Sequence, residues 1–378
     1  MKILIYSSVF FPSLGGIETI TATLAENLTF LGHQCTVVTE TSSVETQVFA
    51  YKVIRQPTWQ KRIELARESD IVHSNGASVA MYPYAKLSNK PFVWTHNGYQ
   101  VSCVDGLGWV DGETTPMTPL ASLTYYFRKK GWFHGIKESV KLAIRRYVAN
   151  HVDLNIAATH WVAKRQPLKN QIVAYTPYPT NRFKSANNIN SDFIYDFIYV
   201  GRLVSEKGLP ELINAFNLLV SKPDYQDKKL AIVGSGSMKQ KLEAMIKDLR
   251  LQVNVSLLGS KFGSELVEII SQAKIGIVPS AYEEPMGGVS LELLAAGKNI
   301  IVSEFGGLAE CVGDAGLKFK NGDHKSLFDC MLRLLKDDAL AKQQRENALA
   351  QVELFDEIEL TKKYLHIYLE IIKNFSKY

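Results

Sequence analysis

The sequence predicts an α/β protein made of two domains, each a doubly wound parallel β-sheet covered by helices. Short β-branched runs alternate with longer helical stretches, which is the pattern of repeated βαβ units. Several of these runs are apolar throughout, as strands buried on both faces of a parallel sheet must be. A length of 378 residues is sufficient for about two domains.

Twelve runs have the length and composition of strands, six in each half of the chain. The strands predicted in the first half cover residues 2–6, 34–39, 71–73, 92–95, 154–157 and 172–175. Those predicted in the second half cover residues 197–200, 229–233, 255–258, 275–279, 300–303 and 317–319. A helix is expected after the first strand of each half, over residues 19–31 and 209–220.

The boundary between the two domains is predicted near residue 185. Pro177 and Pro179 precede a polar stretch over residues 185–192, and this composition is typical of a linker. We therefore expect three segments: an N-terminal acceptor-binding domain, a C-terminal nucleotide-sugar-binding domain, and a final helix that packs back on the N-terminal domain. Their predicted ranges are 1–184, 185–356 and 357–378.

Composition excludes several classes of protein. A hydrophobic fraction of 46% with 21% charged residues is typical of a globular chain and not of a disordered one. No apolar run reaches the roughly 20 residues of a membrane span, and the apolar N-terminus has no signal-peptide cleavage pattern. The four cysteines lack the spacing of a metal site or a disulfide framework, so we expect a reduced, cytoplasmic chain.

Positive charge is concentrated in one segment. The net charge of +5 does not by itself indicate nucleic acid binding. Between residues 119 and 165, however, there are nine basic residues and only two acidic ones, Glu138 and Asp153. Aromatic side chains such as Trp132 stand beside these cations, and residues 136–148 are predicted to form a basic helix. The segment 125–148 therefore suits an anionic membrane surface, at the inner face of the cytoplasmic membrane. The alternative is a solvated helix whose aromatic side chains pack inward.

Glycines follow three of the predicted strands. Gly15 and Gly16 precede the first helix, where backbone N–H groups can approach an anion. Gly234 begins a similar turn after the strand 229–233. Arg202 and Lys207 follow the strand 197–200, and both side chains can bind phosphate. The alternatives are a tight strand-to-helix turn at the glycines and an ordinary ion pair with the neighbouring Glu206.

The most informative stretch carries two glutamates eight residues apart, Glu284 and Glu292. Pro285, Gly287 and Gly288 make the first part a loop, and a helix is predicted over 289–296. One carboxylate from the loop and one from the helix can face a single ligand, and carboxylates accept hydrogen bonds from sugar hydroxyls. Amides at the start of the helix suit phosphate. The alternative is an acidic loop followed by a glutamate in the helix.

As an ordered set, these residues resemble the retaining GT-B glycosyltransferases of family 4. The shared motifs are the Glu-x7-Glu pair, Gly15-Gly16, Gly201-Arg202, Lys207-Gly208, the 234–236 turn and the 305–310 segment. The resemblance implies the GT-B fold, two Rossmann-like domains with an interdomain cleft, and a nucleotide-sugar bound by the C-terminal domain. It departs at Met286, where the family usually has an aromatic residue, and at Gly288, where it has an apolar one.

The resemblance also implies a role for each matching position. Arg202 and Lys207 would contact the diphosphate, Glu292 the ribose hydroxyls, and Glu284 the donor-sugar hydroxyls, with Glu283 as the alternative sugar contact. The remaining donor-binding residues would be Gly15, Gly16, Gly234, Phe262, Met286, Gly287, Gly288 and Val289. His96 would stand near the reacting centre, where it acts by position and charge and not as a general base.

The function expected from this resemblance is retaining hexosyl transfer with no metal and no cofactor. The donor is a UDP-sugar or, second, a GDP-sugar. The acceptor is a hydroxyl of a cell-surface glycan, such as lipopolysaccharide, or of a polyprenyl-diphosphate-linked oligosaccharide, and the product is α-linked. Two alternatives stay open: a nucleotide-sugar epimerase on the same fold, and a non-catalytic nucleotide-sugar-binding protein.

Overall fold

The computed structural model describes residues 1–13, 15–42, 48–188 and 193–375. Two compact units are present. The first consists of Met1–Gly108, Thr115–Pro179 and Phe355–Tyr378, and the second of Trp109–Thr114 and Thr180–Leu354. Leu14 of the glycine turn and residues 189–192 of the predicted linker lie outside the described residues.

The strands of both units are short and mostly buried. In chain order they are β1 (Lys2–Tyr6), β2 (Gln34–Thr39), β3 (Lys52–Arg55), β4 (Ile71–Asn75), β5 (Phe92–His96), β6 (Trp109–Val110), β7 (Glu113–Thr114), β8 (Leu154–Ala157), β9 (Gln171–Val173), β10 (Tyr195–Val200), β11 (Leu230–Val233), β12 (Val255–Gly259), β13 (Ala273–Val278), β14 (Asn299–Ser303) and β15 (Leu317–Phe319).

Helices follow most of the strands. In chain order they are α1 (Gly16–Phe30), α2 (Trp59–Glu68), α3 (Tyr82–Leu87), α4 (Pro119–Lys130), α5 (Trp132–His151), α6 (His160–Arg165), α7 (Asn181–Lys184), α8 (Leu209–Val220), α9 (Lys239–Asp248), α10 (Gly263–Ser271), α11 (Gly288–Ala295), α12 (Gly307–Val312), α13 (His324–Lys336), α14 (Asp338–Glu353) and α15 (Glu357–Phe375).

Each unit has one parallel sheet with the doubly wound strand order. The first sheet runs β3-β2-β1-β4-β5-β8-β9 and the second β12-β11-β10-β13-β14-β15. In each sheet the order reverses after its first strand, between β1 and β4 or between β10 and β13. Ligands of such sheets bind at the carboxyl ends of the strands beside this reversal. The loops that follow β10 and β13 carry Arg202, Lys207 and Glu284, so these residues lie at the expected edge.

The second unit is packed around helix α8, whose bounds match the predicted helix. Leu212, Ile213, Phe216 and Leu219 are fully buried and share one face of α8, which packs on the sheet. Phe216 lies edge-on to Phe197 of β10, with ring centroids 6.2 Å apart. Burial of these large side chains against β10 fixes the strand whose end carries the Arg202 loop.

The C-terminal helix α15 belongs to the first unit. It packs against α1, and Asn27 of α1 donates a hydrogen bond to Thr361 of α15 at 3.3 Å. Its Tyr368 hydroxyl lies 2.7 Å from Nδ1 of His73 in β4, and both side chains are fully buried. A buried hydrogen bond of this kind specifies the position of the helix as well as stabilising it.

The predicted α/β class and the parallel sheets are confirmed, and every predicted strand is present to within two residues at each end. Three strands, β3, β6 and β7, were not predicted. Strand β3 lies at the edge of its sheet and is half-exposed, so it lacks an apolar run. The segment between β5 and α4 contains the short antiparallel hairpin β6–β7, which no apolar run announces. The basic helix is longer than predicted, because α5 begins at Trp132 and ends at His151.

Candidate active site

The loop between β10 and α8 positions Lys207. Gly208 has a positive φ of 63°, and a Cβ there would lie 1.9 Å from the carbonyl oxygen of Pro279. The loop is therefore pressed against the end of β13, and the backbone N–H of Ala281 donates to the carbonyl of Glu206 at 2.9 Å. Only glycine fits at this approach, and the approach brings Lys207 beside Glu284.

Glu284 is held by contacts from its own loop and from two neighbouring loops. The Lys207 ammonium donates to its Oε1 at 2.6 Å, and the Ser280 hydroxyl donates to its Oε2 at 2.5 Å. Its backbone forms a parallel bridge with Gly306, in the loop after β14. The side chains of Lys207 and Glu284 are only 14% and 12% exposed, so the two charges attract with little screening by water. Their pairing makes the site close to neutral when no ligand is bound.

Glu292 lies inside α11 and pairs with a cation that the sequence analysis did not identify. Its side chain is 5% exposed, and Arg182 of α7 donates to its Oε1 at 3.2 Å. Arg182 also lies over the Phe183 ring, 4.7 Å from the centroid. A carboxylate oriented in this way is suited to hydroxyl ligands because its position is fixed before the ligand arrives.

Arg202 differs from Lys207 in being exposed. Its guanidinium lies 3.4 Å from Glu206, the ion pair proposed as the alternative, and its side chain is 59% exposed. The carbonyl of Arg202 accepts a hydrogen bond from Tyr199 at 2.8 Å, which anchors the loop. Burial and the nearby Glu284 carboxylate raise the pKa of Tyr199 well above its usual value, so this hydroxyl stays protonated and acts as a donor.

The start of α11 is only partly accessible. Burial raises the pKa of the nearby Cys311 thiol to about 12. Met286 and Gly287 before the helix are buried, whereas Gly288 and Val289 in its first turn are partly exposed. A ligand at this helix end would therefore meet the Gly288 and Val289 amides first.

Gly234 and Phe262 lie at the same edge of the second sheet. Gly234 follows β11 and has a φ of +144°, and a Cβ there would lie 1.8 Å from the carbonyl oxygen of Gly201. The loops after β10 and β11 are thus in direct backbone contact. Phe262 immediately precedes α10, and its ring is more than half exposed. An exposed aromatic ring beside a strand end is available for stacking on a planar group.

In the first unit, helix α1 begins at Gly16, three residues before its predicted start, with Gly15 as its N-cap, and a carboxylate occupies its first turn. Glu18 is buried, and the Ser13 hydroxyl donates to its Oε1 at 2.9 Å. A Cβ at Gly15 would lie 2.7 Å from the other oxygen of this carboxylate. A negative charge here offsets the attraction of the helix N-terminus for phosphate.

His96 ends β5 as a buried, neutral side chain. Its Nε2 lies 2.8 Å from the Asn155 amide oxygen, and its ring packs against Trp94. Burial lowers the pKa of His96 to about 4, so the ring is uncharged at neutral pH. This corrects the expected contribution of its charge. Nδ1 is buried and has no hydrogen-bond partner among the residues that the structure describes, so it is the ring atom that remains for a ligand.

The second unit therefore brings Lys207, Glu284, Ser280 and Arg202 to one edge of its sheet, and it gives Glu292 an arginine partner. Two cations can neutralise a diphosphate and two carboxylates can hold hydroxyls. Within the described ranges, no group of three or more His, Cys, Asp and Glu side chains is arranged to hold a metal ion.

Family models match both halves of the chain. Residues 180–351 match the model described as glycosyl transferases group 1. Residues 14–166 match the model described as glycosyltransferase family 4. The matched ranges contain every residue singled out above by the sequence motifs.

Individual relatives are similar over part of the chain. A glycogen synthase of Mycobacterium tuberculosis is 32% identical over 158 residues, which are 41% of this chain and 37% of that protein. An N-acetylgalactosamine-N,N'-diacetylbacillosaminyl-diphospho-undecaprenol 4-alpha-N-acetylgalactosaminyltransferase of Campylobacter jejuni is 30% identical over 172 residues, 44% of this chain and 45% of that one. The chain thus spans less than half the length of either relative.

Solved structures are similar over the whole chain. The structure of Anabaena HepE in complex with UDP-glucose has a TM-score of 0.72 and 17% sequence identity, and the match covers 100% of each chain. At this identity the similarity establishes the fold. A glycosyltransferase of Rickettsia africae has the same fold, with a TM-score of 0.72 and 20% identity over 99% of each chain. With both family models matched and this fold shared, the chain belongs to the group 1 glycosyltransferases of the GT-B fold.

Proposed function

We propose that this group 1 glycosyltransferase transfers a hexosyl unit, with retention of configuration, from a nucleotide-sugar to a hydroxyl of a glycan or a polyprenyl-diphosphate-linked acceptor. The observation that carries the proposal is the buried pair of Lys207 and Glu284, joined at 2.6 Å at the carboxyl edge of the second sheet. An ion pair at this position supplies a cation for a phosphate and a carboxylate that can accept a hydrogen bond from a sugar hydroxyl, and both groups are already largely removed from water.

The donor diphosphate is assigned to Lys207, Arg202 and the first-turn amides of α11. The Lys207 side chain is already almost buried beside Glu284. The Arg202 side chain is exposed and would turn towards a bound diphosphate. A phosphate beside Lys207 would compete with Glu284 for the ammonium and release a carboxylate oxygen to accept from a sugar hydroxyl. Binding of the diphosphate and of the hexose are coupled through this exchange.

The nucleoside part of the donor is assigned to Glu292 and Phe262. Glu292, oriented by Arg182, would accept hydrogen bonds from the ribose hydroxyls. The exposed Phe262 ring would lie against the base, beside the glycine turn at Gly234. A UDP-sugar is the preferred donor, supported by the binding of UDP-glucose by the structurally similar Anabaena HepE, and a GDP-sugar is the second choice.

The transfer step needs a stabilised leaving group. The bond from C1 of the hexose to the diphosphate oxygen breaks, and C1 bonds to the acceptor oxygen on the same face. The acceptor proton passes to the departing diphosphate, which balances the reaction without a protein base. Lys207 and Arg202 stabilise the charge that develops on the diphosphate, which is the electrostatic role a metal ion has in other transferases. His96 takes part as a neutral hydrogen-bonding group through Nδ1.

The acceptor class is supported by the named relatives. The Campylobacter jejuni enzyme is named for a diphospho-undecaprenol acceptor, and a relative from Staphylococcus aureus, 28% identical over 167 residues, is a capsular polysaccharide biosynthesis glycosyltransferase. We assign this chain an acceptor of the same general kind, a growing glycan or its lipid-linked precursor.

A thermal-shift panel of UDP, GDP and ADP tests the donor assignment. A ligand at 100 times its Kd stabilises the folded state by about 2.7 kcal/mol, so one nucleotide should raise Tm by several degrees. The shift should shrink in Glu292→Gln and persist in Glu265→Gln, an exposed glutamate of α10. Equal shifts in wild type and Glu292→Gln would contradict the ribose assignment, and no shift with any of the three would contradict the donor class.

Incubating the chain with sugar nucleotides that carry the stabilising base distinguishes a transferase from an epimerase and from a binding protein. Transfer requires an acceptor, and without one only slow hydrolysis is expected. Conversion of one sugar nucleotide into its epimer in the absence of acceptor would establish the epimerase instead. Binding without turnover on any lipid-linked or glycan acceptor would establish a binding protein.

A further inference from the structure

Helix α5 presents an apolar face to solvent. Trp132, Phe133, Ile136, Val140, Ile144 and Tyr147 are between 51% and 94% exposed. At 100° per residue these six positions fall within an arc of about 120°, which makes one continuous stripe along the helix. Aggregated apolar exposure of this kind marks an interaction surface, unlike single exposed apolar side chains. We call these six residues the α5 stripe.

Cations border the α5 stripe and acids are kept away from it. Lys137 lies on one side of the arc and Arg146 on the other, and both are exposed. The single acid of α5, Glu138, is buried on the opposite face and paired with Lys141 at 2.6 Å. The outward face of the helix is therefore apolar at its centre and positive at its edges.

A cationic cavity opens at one edge of the same surface. It has a volume of about 290 Å³ and its lining includes Arg146, Asn150 and Lys169. Arg146 is held there because it donates to the carbonyl of Val101 at 3.2 Å. Two positive side chains and an amide in a cavity of this size suit the phosphate of a lipid headgroup.

We propose that the α5 stripe docks on an anionic bilayer, with the side chains of the stripe among the headgroups and upper acyl chains and a lipid phosphate in the Arg146–Lys169 cavity. The combination of an exposed apolar stripe with flanking cations is the amphipathic pattern of helices that lie in a membrane interface. A second copy of the chain is a poorer occupant because stripe-to-stripe packing would bring the flanking Lys and Arg side chains of two copies together. Among the described residues, no helix is long and apolar enough to cross a membrane.

The docking proposal depends on the proposed function only for the identity of the acceptor. Helices α4 and α5 are fixed to the segment that follows His96, through Arg146 to Val101 and through the Tyr126 hydroxyl to Asp105 at 3.4 Å. An enzyme docked in this way would take a lipid-linked acceptor from the membrane without extracting its polyprenyl chain into water.

Vesicle sedimentation tests the docking surface independently of transfer. Wild-type chain should bind vesicles of equal parts phosphatidylglycerol and phosphatidylcholine, bind pure phosphatidylcholine far less, and lose binding in high salt. Replacing Phe133 and Ile136 by Ser should weaken binding about tenfold or more, since each apolar side chain contributes to burial in the interface. The matched control replaces Leu87 and Val253, exposed apolar residues outside the stripe, by Ser.

Charge reversal tests the electrostatic part. Lys137→Glu should weaken binding to anionic vesicles roughly tenfold, and Lys241→Glu on the exposed face of α9 should leave it unchanged. Unimpaired vesicle binding by both the Phe133 and Ile136 double variant and Lys137→Glu would overturn the proposal. A concentration-dependent dimer that the Phe133 and Ile136 substitutions dissociate would overturn it in favour of a second copy. Nucleotide-induced thermal shifts of the same variants report on the proposed function separately, and they should equal those of wild type.

Discussion

The carboxyl edges of the two sheets use different chemistry on the same topology. In the second unit the loops after β10 and β13 carry the ion pair of Lys207 with Glu284, and Arg182 of α7 pairs with Glu292 of α11. In the first unit β5 ends at the buried, neutral His96, which lies against Asn155, and the ion pair at this edge joins Glu40 after β2 to Arg62 of α2. A shared fold thus sets where ligands are expected, and the residue types at each edge determine which ligand is accepted.

The difference indicates a division of labour between the edges. Paired charges can be exchanged for the charges of a diphosphate, so the second unit suits an anionic donor. A neutral buried group such as His96 cannot compensate a charge but can orient a hydroxyl, and we therefore propose that the acceptor binds to the first unit. The carboxylate of Glu18 in the first turn of α1 strengthens the contrast, because it opposes anion binding at Gly15 and Gly16.

The largest expected effect is on transfer by Glu284→Gln. Loss of the carboxylate removes the sugar contact and leaves Lys207 without its counter-charge, and we expect the rate to fall roughly 100- to 1000-fold. Glu283→Gln, one position away, should change the rate by less than about threefold if it makes no sugar contact. Initial rates with a lipid-linked acceptor measure both. The reverse ranking would assign the sugar contact to Glu283.

The second largest effect is expected on stability, where Lys207 and Arg202 should differ. Lys207→Met leaves the almost buried Glu284 carboxylate without its ammonium, and we expect the free energy of unfolding to fall by about 3 kcal/mol. Arg202→Ala should change it by less than about 1 kcal/mol because the Arg202 side chain is 59% exposed and lies 3.4 Å from Glu206, so that water screens its charge. Urea unfolding of each variant gives the comparison. Equal stability losses would show that the burial of the Lys207–Glu284 pair has no energetic consequence.

Acidification should destabilise the first unit through its neutral histidines. Burial lowers the pKa of His96 to about 4 and of His73 to about 3, whereas both titrate near 6.5 when unfolded. Below pH 6.5 the unfolded chain binds protons that the folded chain does not, so stability falls as pH falls from 6.5 towards 4. Between pH 7 and pH 5, His96 alone should account for roughly 2 kcal/mol.

The measurement is the difference in unfolding free energy between pH 7 and pH 5. This difference should decrease in His96→Gln and stay unchanged in His366→Gln, whose ring is largely exposed. An unaltered pH dependence in His96→Gln would mean that His96 is not kept neutral by burial.

The smallest effect expected is that of Arg182→Ala on nucleotide affinity. Without the guanidinium, Glu292 is less well oriented, and we expect the Kd for the preferred nucleoside diphosphate to rise about fivefold, equivalent to about 1 kcal/mol. Lys184→Ala, at the other end of α7, is the matched control and should bind as wild type does. Calorimetric titration distinguishes them, and an unchanged Kd for Arg182→Ala would remove this residue from the donor site.

The sequence predicted the positions of local features well and the partners of charged groups poorly. Strand ends could be located because apolar runs stop at glycines, as they do before Gly201 and Gly234. Arg182 was missed because it stands in a proline- and asparagine-rich stretch that resembles a linker, 110 residues from Glu292. The spacing of neighbouring residues cannot predict a contact between residues so far apart in the sequence, whereas the folded structure shows it.

The burial and the contacts of individual side chains could not be predicted from sequence patterns either. His96 follows Thr95 in a motif that marks it as a ligand-binding residue, but its charge depends on how completely Trp94 and Asn155 enclose it. Likewise, the sequence marks the Gly287 amide as a phosphate contact, but the structure buries Gly287 and leaves Gly288 and Val289 more accessible. Burial and partner identity are properties of packing, and packing is set by residues distant in the chain.

A crystal structure of the chain with the nucleoside diphosphate that gives the largest thermal shift is the most direct test of the central claim. We predict phosphate oxygens within hydrogen-bond distance of the Lys207 and Arg202 side chains and ribose hydroxyls on the Glu292 carboxylate. A diphosphate bound at Gly15 and Gly16 alone, or in the Arg146–Lys169 cavity, would contradict the assignment of the donor to the charged edge of the second unit.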